Sequence, residues 1–575
     1  MPGSTGNLYL YIAKGRLMHA YIFAALLSLV TAPHAMVVTE QHLASQAGLD
    51  VLKAGGNAVD AAVAVGYALA VVDPCCGNIG GGGFMLIRMH DGRERFIDFR
   101  EKAPERATRD MYLDGKGNVV PERSRKGWLA IGVPGTVMGL DRALREYGTL
   151  PRARVMAPAI ALARDGFVLQ EGDLLPFKGA ASEGYSGAYT LKNQPNIRAI
   201  WMSDGALPRA GERIVQTNLA NTLSLIARDG SDAFYRGPIA RAVVAASDAG
   251  GGLLTMRDFR DYTVGESQPV QCTYHGLTVI SSPPPSSGGV TLCEILNILS
   301  PYPLAQWGWH SAREAHYVVE AERRAYADRN AYLGDPAFVN DPIAQLLDPA
   351  YAARLRAQID PARATPSSLV KPGLKVVVHE NGETTHYSIV DAQGNAVAVT
   401  YTLNDWFGAG VMAGDTGFML NDEMDDFTSK PGVPNMYGLV QGEDNDIQPG
   451  KRPLSSMAPT IVTRDGKLAM VTGSPGGSRI ITIVLETILN VFDFGMNAQA
   501  AVDAPRIHMQ WLPDEVQYEP HAFAGEAMAQ LRAAGYRFQE IPFWGSAQAI
   551  VVDPKTGDLE GGTDRRHPAG AAVGY

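Results

Sequence analysis

ETTHYSIVDAQGNAVAVTYTLN, residues 383–404, alternates apolar and polar side chains on both sides of a short polar turn. The alternation predicts two antiparallel strands joined at Ala392-Gln393-Gly394. A three-residue turn centred on Gln393 sets Thr384 opposite Thr402, whereas a two-residue Gln393-Gly394 turn sets Thr385 opposite Thr402. In either register a second hydroxyl faces the paired threonines, about 5 Å away at Cβ. A threonine hydroxyl is a weak nucleophile without an adjacent base. A cut before Thr384 would supply one, because a free α-amino group has a pKa of about 7.7–8.0. The competing reading is that Thr-Thr simply opens a strand, and these residues alone do not displace it.

Downstream, TGSPGGSR (472–479) places Gly476 and Gly477 after a Ser-Pro turn, where outward-pointing N–H groups can stabilise an oxyanion. MLNDEMDDF (419–427) concentrates Glu423, Asp425 and Asp426. It lacks the spacing and glycine of an EF-hand. KRPLSSMAP (451–459) presents Ser455 and Ser456, which taken alone read as a polar turn. Strand pairs are also predicted in PTIVTRDGKLAMVTG and QAIVVDPKTGDLEGG. Strands and helices are both abundant but do not alternate strictly, which predicts layered antiparallel sheets with helices outside.

Upstream, QHLASQAGLDVLKAGG predicts an amphipathic helix stopped by Gly55-Gly56. NAVDAAVAVGYALAVV predicts a buried helix with Asn57 as cap and Asp60 as its reciprocal partner. The glycine run Gly80–Gly83 leads into a strand and no Gly-Lys-Ser/Thr follows, so a phosphate loop is excluded. Arg100 falls at the end of the next strand. SSPPPSSGG (281–289) has the composition of a linker, or of a rigid loop before a helix.

The chain has 575 residues and a net charge of −10, without a Lys/Arg-rich run, which argues against nucleic acid as a partner. The four cysteines, Cys75, Cys76, Cys272 and Cys293, show no metal-ligand spacing and are read as small apolar residues. A Cys272–Cys293 bridge has no pattern to support it, and Cys75 and Cys76 are assigned no role. Lys14 and Arg16 precede the apolar run HAYIFAALLSLVTAPHA, which reads as a secretory signal with a cut after Ala32. That predicts a periplasmic or secreted protein. No metal or cofactor is expected.

Taken together, AGGNAVDAAVAVGYALAVVDP, GNIGGGGFMLIR, IDFREKAPERATRDMYLD, PPPSSGG, TTHYSIVDAQGNAVAVTYTLN, DDFTSKPGVPNMYGLV, KRPLSSMAPTIV and TGSPGGSRI resemble the γ-glutamyltransferase (γ-glutamyltranspeptidase) family. That family lies within the N-terminal-nucleophile hydrolases. The likeness runs from about Met36 to the C-terminus. It implies an α+β fold, a four-layer αββα sandwich. It also implies self-cleavage between Glu383 and Thr384, giving a signal at 1–32, a large chain 33–383 and a small chain 384–575 that stay together as a heterodimer. By motif position Thr384 is the nucleophile, Thr402 its partner, and Gly476 and Gly477 the oxyanion hole. Arg100, Ser455 and Ser456 match the groups that hold the donor's α-carboxylate. Asn404, Glu423 and Asp426 match those that hold its α-ammonium, and Tyr437 matches a lid over the pocket. The implied substrates are glutathione and other γ-glutamyl compounds, with water, amino acids or peptides as acceptors.

The alternatives are a glutaryl-type (cephalosporin) acylase of the same superfamily and a non-catalytic exported binding protein. A serine hydrolase is disfavoured because Gly184-Tyr185-Ser186-Gly187-Ala188 lacks the last glycine of GxSxG.

Overall fold

A computed structural model describes residues 29–180, 194–202, 205–372, 383–431, 433, 436 and 443–575. Two seven-stranded antiparallel sheets stack between helical layers. In chain order their strands are β1 (Val30–Ala32), β2 (Met36–Thr39), β3 (Gly82–Arg88), β4 (Glu94–Asp98), β5 (Gly265–Ser267), β6 (Val270–Tyr274) and β7 (Leu277–Ser281). They continue with β8 (Glu383–Val390), β9 (Ala396–Asn404), β10 (Thr460–Arg464), β11 (Lys467–Gly473), β12 (Gln548–Val552), β13 (Leu559–Thr563) and β14 (Ala571–Gly574). The first sheet has the order β14-β2-β8-β9-β3-β4-β5, and the second β1-β13-β12-β11-β10-β7-β6. This is the αββα sandwich expected from the sequence.

Helices α1 (His42–Lys53) and α2 (Ala58–Val72) cover the first sheet, and α3 (Arg152–Asp165) packs on the outer side of α2. Helix α2 is buried along its whole length, and its Asn57–Asp60 capping box forms as its sequence predicts. Its Ala/Val surface suits this position, since a helix packed on both sides has no room for a polar stripe. Helices α4 (Gly288–Leu299) and α6 (Ile480–Phe492) cover the second sheet, and α5 (Ala312–Tyr332) packs against α4. Among the described residues no helix is long and apolar enough to cross a membrane.

Three sequence readings meet the structure differently. PPPSSGG is a rigid buried loop: Ser287 N and Ser286 Oγ donate to Ser455 O at 2.7 and 3.2 Å, and Ser455 N donates to Pro285 O at 2.8 Å. The loop thereby fixes the main chain of the Ser455–Ser456 segment. The cysteines are not simple core residues, because Cys75–Cys76 and Cys272–Cys293 are both disulfides. Adjacent cysteines and a pair 21 residues apart carry no sequence pattern; the fold brings β6 against α4 and so closes the second bridge. Finally, Val30–Ala32 is an edge strand paired with Leu559–Gly561, so a cut after Ala32 would remove part of a sheet.

Candidate active site

Strands β8 and β9 form the predicted hairpin. Pairs run from Val390↔Ala396 to Thr385↔Tyr401, the register of a three-residue turn centred on Gln393. Asp391 closes that turn by accepting from the amides of Gln393 and Asn395 at 3.0 and 2.9 Å. The alternative pairing of Thr385 with Thr402 is excluded. The register then slips, because Glu383 pairs with Asn404. Thr402 and Leu403 therefore share the place opposite Thr384, a bulge of the kind that re-aims side chains beside active sites. Leu403 N, left without a ladder partner, donates to Cys76 O at 2.8 Å. Asn404 N donates to Thr402 Oγ1 at 2.7 Å, with Asn404 at φ 79°.

Alternation along β8 separates the two threonines. Thr385 and Tyr387 point to the helical layer, where Thr385 Oγ1 donates to Glu40 Oε2 at 2.5 Å and Tyr387 Oη to Ala62 O at 3.0 Å. Thr384, His386 and Ser388 occupy the opposite face, towards the second sheet. His386 Nδ1 is 2.8 Å from Thr400 Oγ1, and its ring fills the space over Gly473, where a Cβ would come within 2.3 Å of it. Burial pushes His386 down to about 3, so it packs this strand as a neutral ring and is too weak a base to activate a neighbouring hydroxyl.

From Gly473 the chain turns through Ser474-Pro475-Gly476-Gly477 into α6. Gly476 and Gly477 have φ of 138° and 60°, which only glycine adopts at low cost. Ser474 Oγ accepts from Ser546 N at 3.2 Å and donates to Pro475 O at 2.6 Å, which anchors the turn.

The charged residues converge. Arg100 is fully buried and forms ion pairs with Glu423 and Asp426, with Glu101 at 3.6 Å and Pro453 O accepting from its Nε at 3.2 Å. Burial opposes its charge, but Glu423, Asp426 and Glu101 together hold it above the usual range. Burial raises both Glu423 and Asp426, with Arg100 opposing. Asn404 Oδ1, Glu423 Oε2 and Asp426 Oδ1 are buried acceptors without a donor. Ser455 Oγ accepts from Met457 N at 3.1 Å, and Ser456 Oγ accepts from Arg329 Nη2 at 3.0 Å. The groups matched to the carboxylate and to the ammonium thus form a joint cluster, in which Glu423 and Asp426 neutralise Arg100.

Glu101 and Arg329 belong to this site and escaped the sequence reading. Glu101 directly follows Arg100, and both its carboxylate oxygens are buried without a donor. Arg329 lies within a helical pattern that gives no sign of full burial, and burial lowers it to about 9. Tyr437 lies outside the described residues. Among the described residues one cluster has metal-ligand atoms close together, Asp73 with Cys75 and Cys76, but its sulfurs are bonded to each other.

The αββα sandwich, with Thr384 near the start of a central strand whose His386 packs on Gly473 ahead of the diglycine turn, fits an enzyme of the N-terminal-nucleophile hydrolase class. The sequence narrows this further. The family model described as gamma-glutamyltranspeptidase matches residues 44–574, and the chain belongs to that family. The glutathione hydrolase proenzyme of Pseudomonas sp. (strain A14) is 54% identical over 96% of each chain. That of Escherichia coli (strain K12) is 49% identical over 95% of this chain and 93% of the relative. Among solved structures, cephalosporin acylase from Bacillus halodurans superposes with a TM-score of 0.83 at 29% identity, covering 95% of this chain and 97% of its own.

Proposed function

We propose that this chain is a self-processed γ-glutamyltransferase and glutathione hydrolase. The observation that carries the reading is the set of three donor-less oxygens, on Asn404, Glu423 and Asp426, next to the Arg100 guanidinium. An ammonium needs acceptors and a carboxylate needs a cationic fork. A free α-amino acid end supplies both groups at once, and a γ-glutamyl donor has one. Its ammonium takes the vacant acceptors, and its carboxylate takes Arg100 with the hydroxyls of Ser455 and Ser456.

In the precursor, Thr384 Oγ1 attacks the Glu383 carbonyl carbon. A C–O bond forms, the C–N bond breaks, and the released nitrogen takes the hydroxyl proton. Water hydrolyses the resulting ester, leaving the chain that ends at Glu383 associated with the chain 384–575. In turnover the free Thr384 amine accepts the hydroxyl proton as Oγ1 attacks the γ-carbonyl. Thr402 holds Oγ1, and the Gly476 and Gly477 amides hold the oxyanion. The leaving amine departs with a proton, and water or an acceptor amine then cleaves the γ-glutamyl ester.

The likeness to a cephalosporin acylase keeps a glutaryl-type donor as the second reading. A glutaryl group lacks the α-ammonium and would leave the three acceptors unpaired. Two measurements decide. The small chain should begin Thr-Thr-His-Tyr on N-terminal sequencing; a start at Thr385 sinks the nucleophile. A γ-glutamyl anilide should be turned over faster than its glutaryl analogue; the reverse order sinks the donor assignment.

The basic and apolar N-terminal segment supports export to the periplasm or beyond. Cleavage nearer residue 29 than after Ala32 leaves β1 in its sheet.

A further inference from the structure

Glu40 follows β2 and is fully enclosed beneath the nucleophile's strand. Its Oε2 accepts the hydroxyl proton of Thr385, the residue after the nucleophile, at 2.5 Å, and its backbone carbonyl is 3.0 Å from His567 Nδ1. Oε1 has no donor. Asp73, at the end of α2, and Asp564, after β13, are the carboxylates facing it; Asp564 is itself paired with Arg506 and Arg566. Ser546 is its second hydroxyl neighbour, and Ser546 N is the group that donates to Ser474 in the diglycine turn. The preceding Gly545 lies directly against that turn, where a Cβ would come within 2.8 Å of Pro475 O. The Glu40 carboxyl therefore touches both the strand that carries Thr384 and the segment that backs Gly476.

Building on the assignment of Thr384 as nucleophile, we infer that Glu40 is a positioning residue that locks Thr384 in line with the diglycine turn through the Thr385 hydroxyl. A carboxyl buried with two acidic neighbours is most stable uncharged. Burial, followed by Asp73, raises it well above the carboxylate range, while Thr385 and Ser546 oppose. An uncharged carboxyl and a carboxamide offer Thr385 the same acceptor. The hydrogen bond, rather than the charge, is the working element.

The test compares Glu40→Gln, Glu40→Ala, Thr385→Ser, Thr385→Val and the Glu40→Ala/Thr385→Val double variant. Each is purified as the full chain and scored for self-cleavage rate and for kcat and KM with a γ-glutamyl anilide. Glu40→Ala and Thr385→Val should each lower kcat about tenfold, the scale of one buried hydrogen bond, with KM within about twofold. Glu40→Gln and Thr385→Ser should stay within about threefold of wild type, and the double variant should be no slower than Glu40→Ala alone. The inference is overturned if Glu40→Gln is as slow as Glu40→Ala, if the two losses multiply, or if Glu40→Ala retains full kcat. Should Glu40→Ala not fold, the Thr385→Ser and Thr385→Val pair decides: equal kcat in both overturns it. A wild-type small chain that does not start at Thr384 refutes the underlying nucleophile assignment instead, and the two failures are read separately.

Discussion

Asn404 N donates to Thr402 Oγ1 at 2.7 Å, so the backbone of Asn404 orients the hydroxyl of a residue in the bulge opposite Thr384. An oxygen that accepts one N–H still has its own proton to give. In the proposed mechanism that proton is given to Thr384 Oγ1. Replacing Thr402 by Val should lower kcat about 100-fold, comparable to losing one preorganised donor in an active site. Replacing it by Ser should cost less than about tenfold, because the hydroxyl is kept. Steady-state kinetics with a γ-glutamyl anilide checks both, and equal losses for Val and Ser would rule out the hydroxyl's role.

Asp426 separates the two donor classes. Removing one member of a buried charge pair costs about 2–5 kcal/mol, so Asp426→Asn should lower kcat/KM for a γ-glutamyl donor by about 30-fold or more. A glutaryl analogue, with no ammonium to hold, should lose less than about tenfold. Parallel losses on both compounds would show that Asp426 merely supports Arg100.

Glu314 gives a pH prediction. Burial, partly opposed by His310 and reinforced by Glu486, raises it to about 7. A raised acid contributes stability in full below its unfolded value of about 4.3, and loses it as pH climbs through the folded value. The wild-type melting temperature should therefore fall, between about pH 5 and 7, relative to that of Glu314→Gln. Thermal scans across that range test this, and parallel curves would contradict it.

Cys272 and Cys293 close a loop with a sequence separation of 21. Loop-closure entropy assigns such a crosslink about 3 kcal/mol. The Cys272→Ala/Cys293→Ala variant should lose about that much in denaturant unfolding, with kcat unchanged, since the bridge joins β6 to α4 on the far face of the second sheet. A loss of kcat would show that this bridge reaches the active site.

The sandwich was legible because its decisive hairpin is short-range: alternation and one turn set Thr384 against the Thr402 side of β9. The bulge was not legible, because it depends on Leu403 N reaching Cys76 O, a partner hundreds of residues away in sequence. The pocket residues were legible by motif, but the pairing of Arg100 with Glu423 and Asp426 was not. Opposite charges that serve a ligand's two ends satisfy one another when no ligand intervenes, and residue types alone do not reveal that. Glu40 was hidden for a related reason: a glutamate beside a strand end reads as solvated until the fold encloses it.

The order of strands says what kind of heterodimer the proposed cut before Thr384 would create, with the residues up to Glu383 as the large chain and the rest as the small. In the first sheet β2, from the large chain, lies between β14 and β8 of the small chain, and β9 of the small chain pairs with β3 of the large. In the second, β10–β13 of the small chain are flanked by β1 on one side and β7 on the other. Neither chain owns a complete sheet, so neither can bury its own apolar face or saturate its own strand edges. The two products are therefore less like docked subunits than like the halves of a zipper. Dissociation and unfolding should be a single event, and fragments synthesised separately would have to fold through each other.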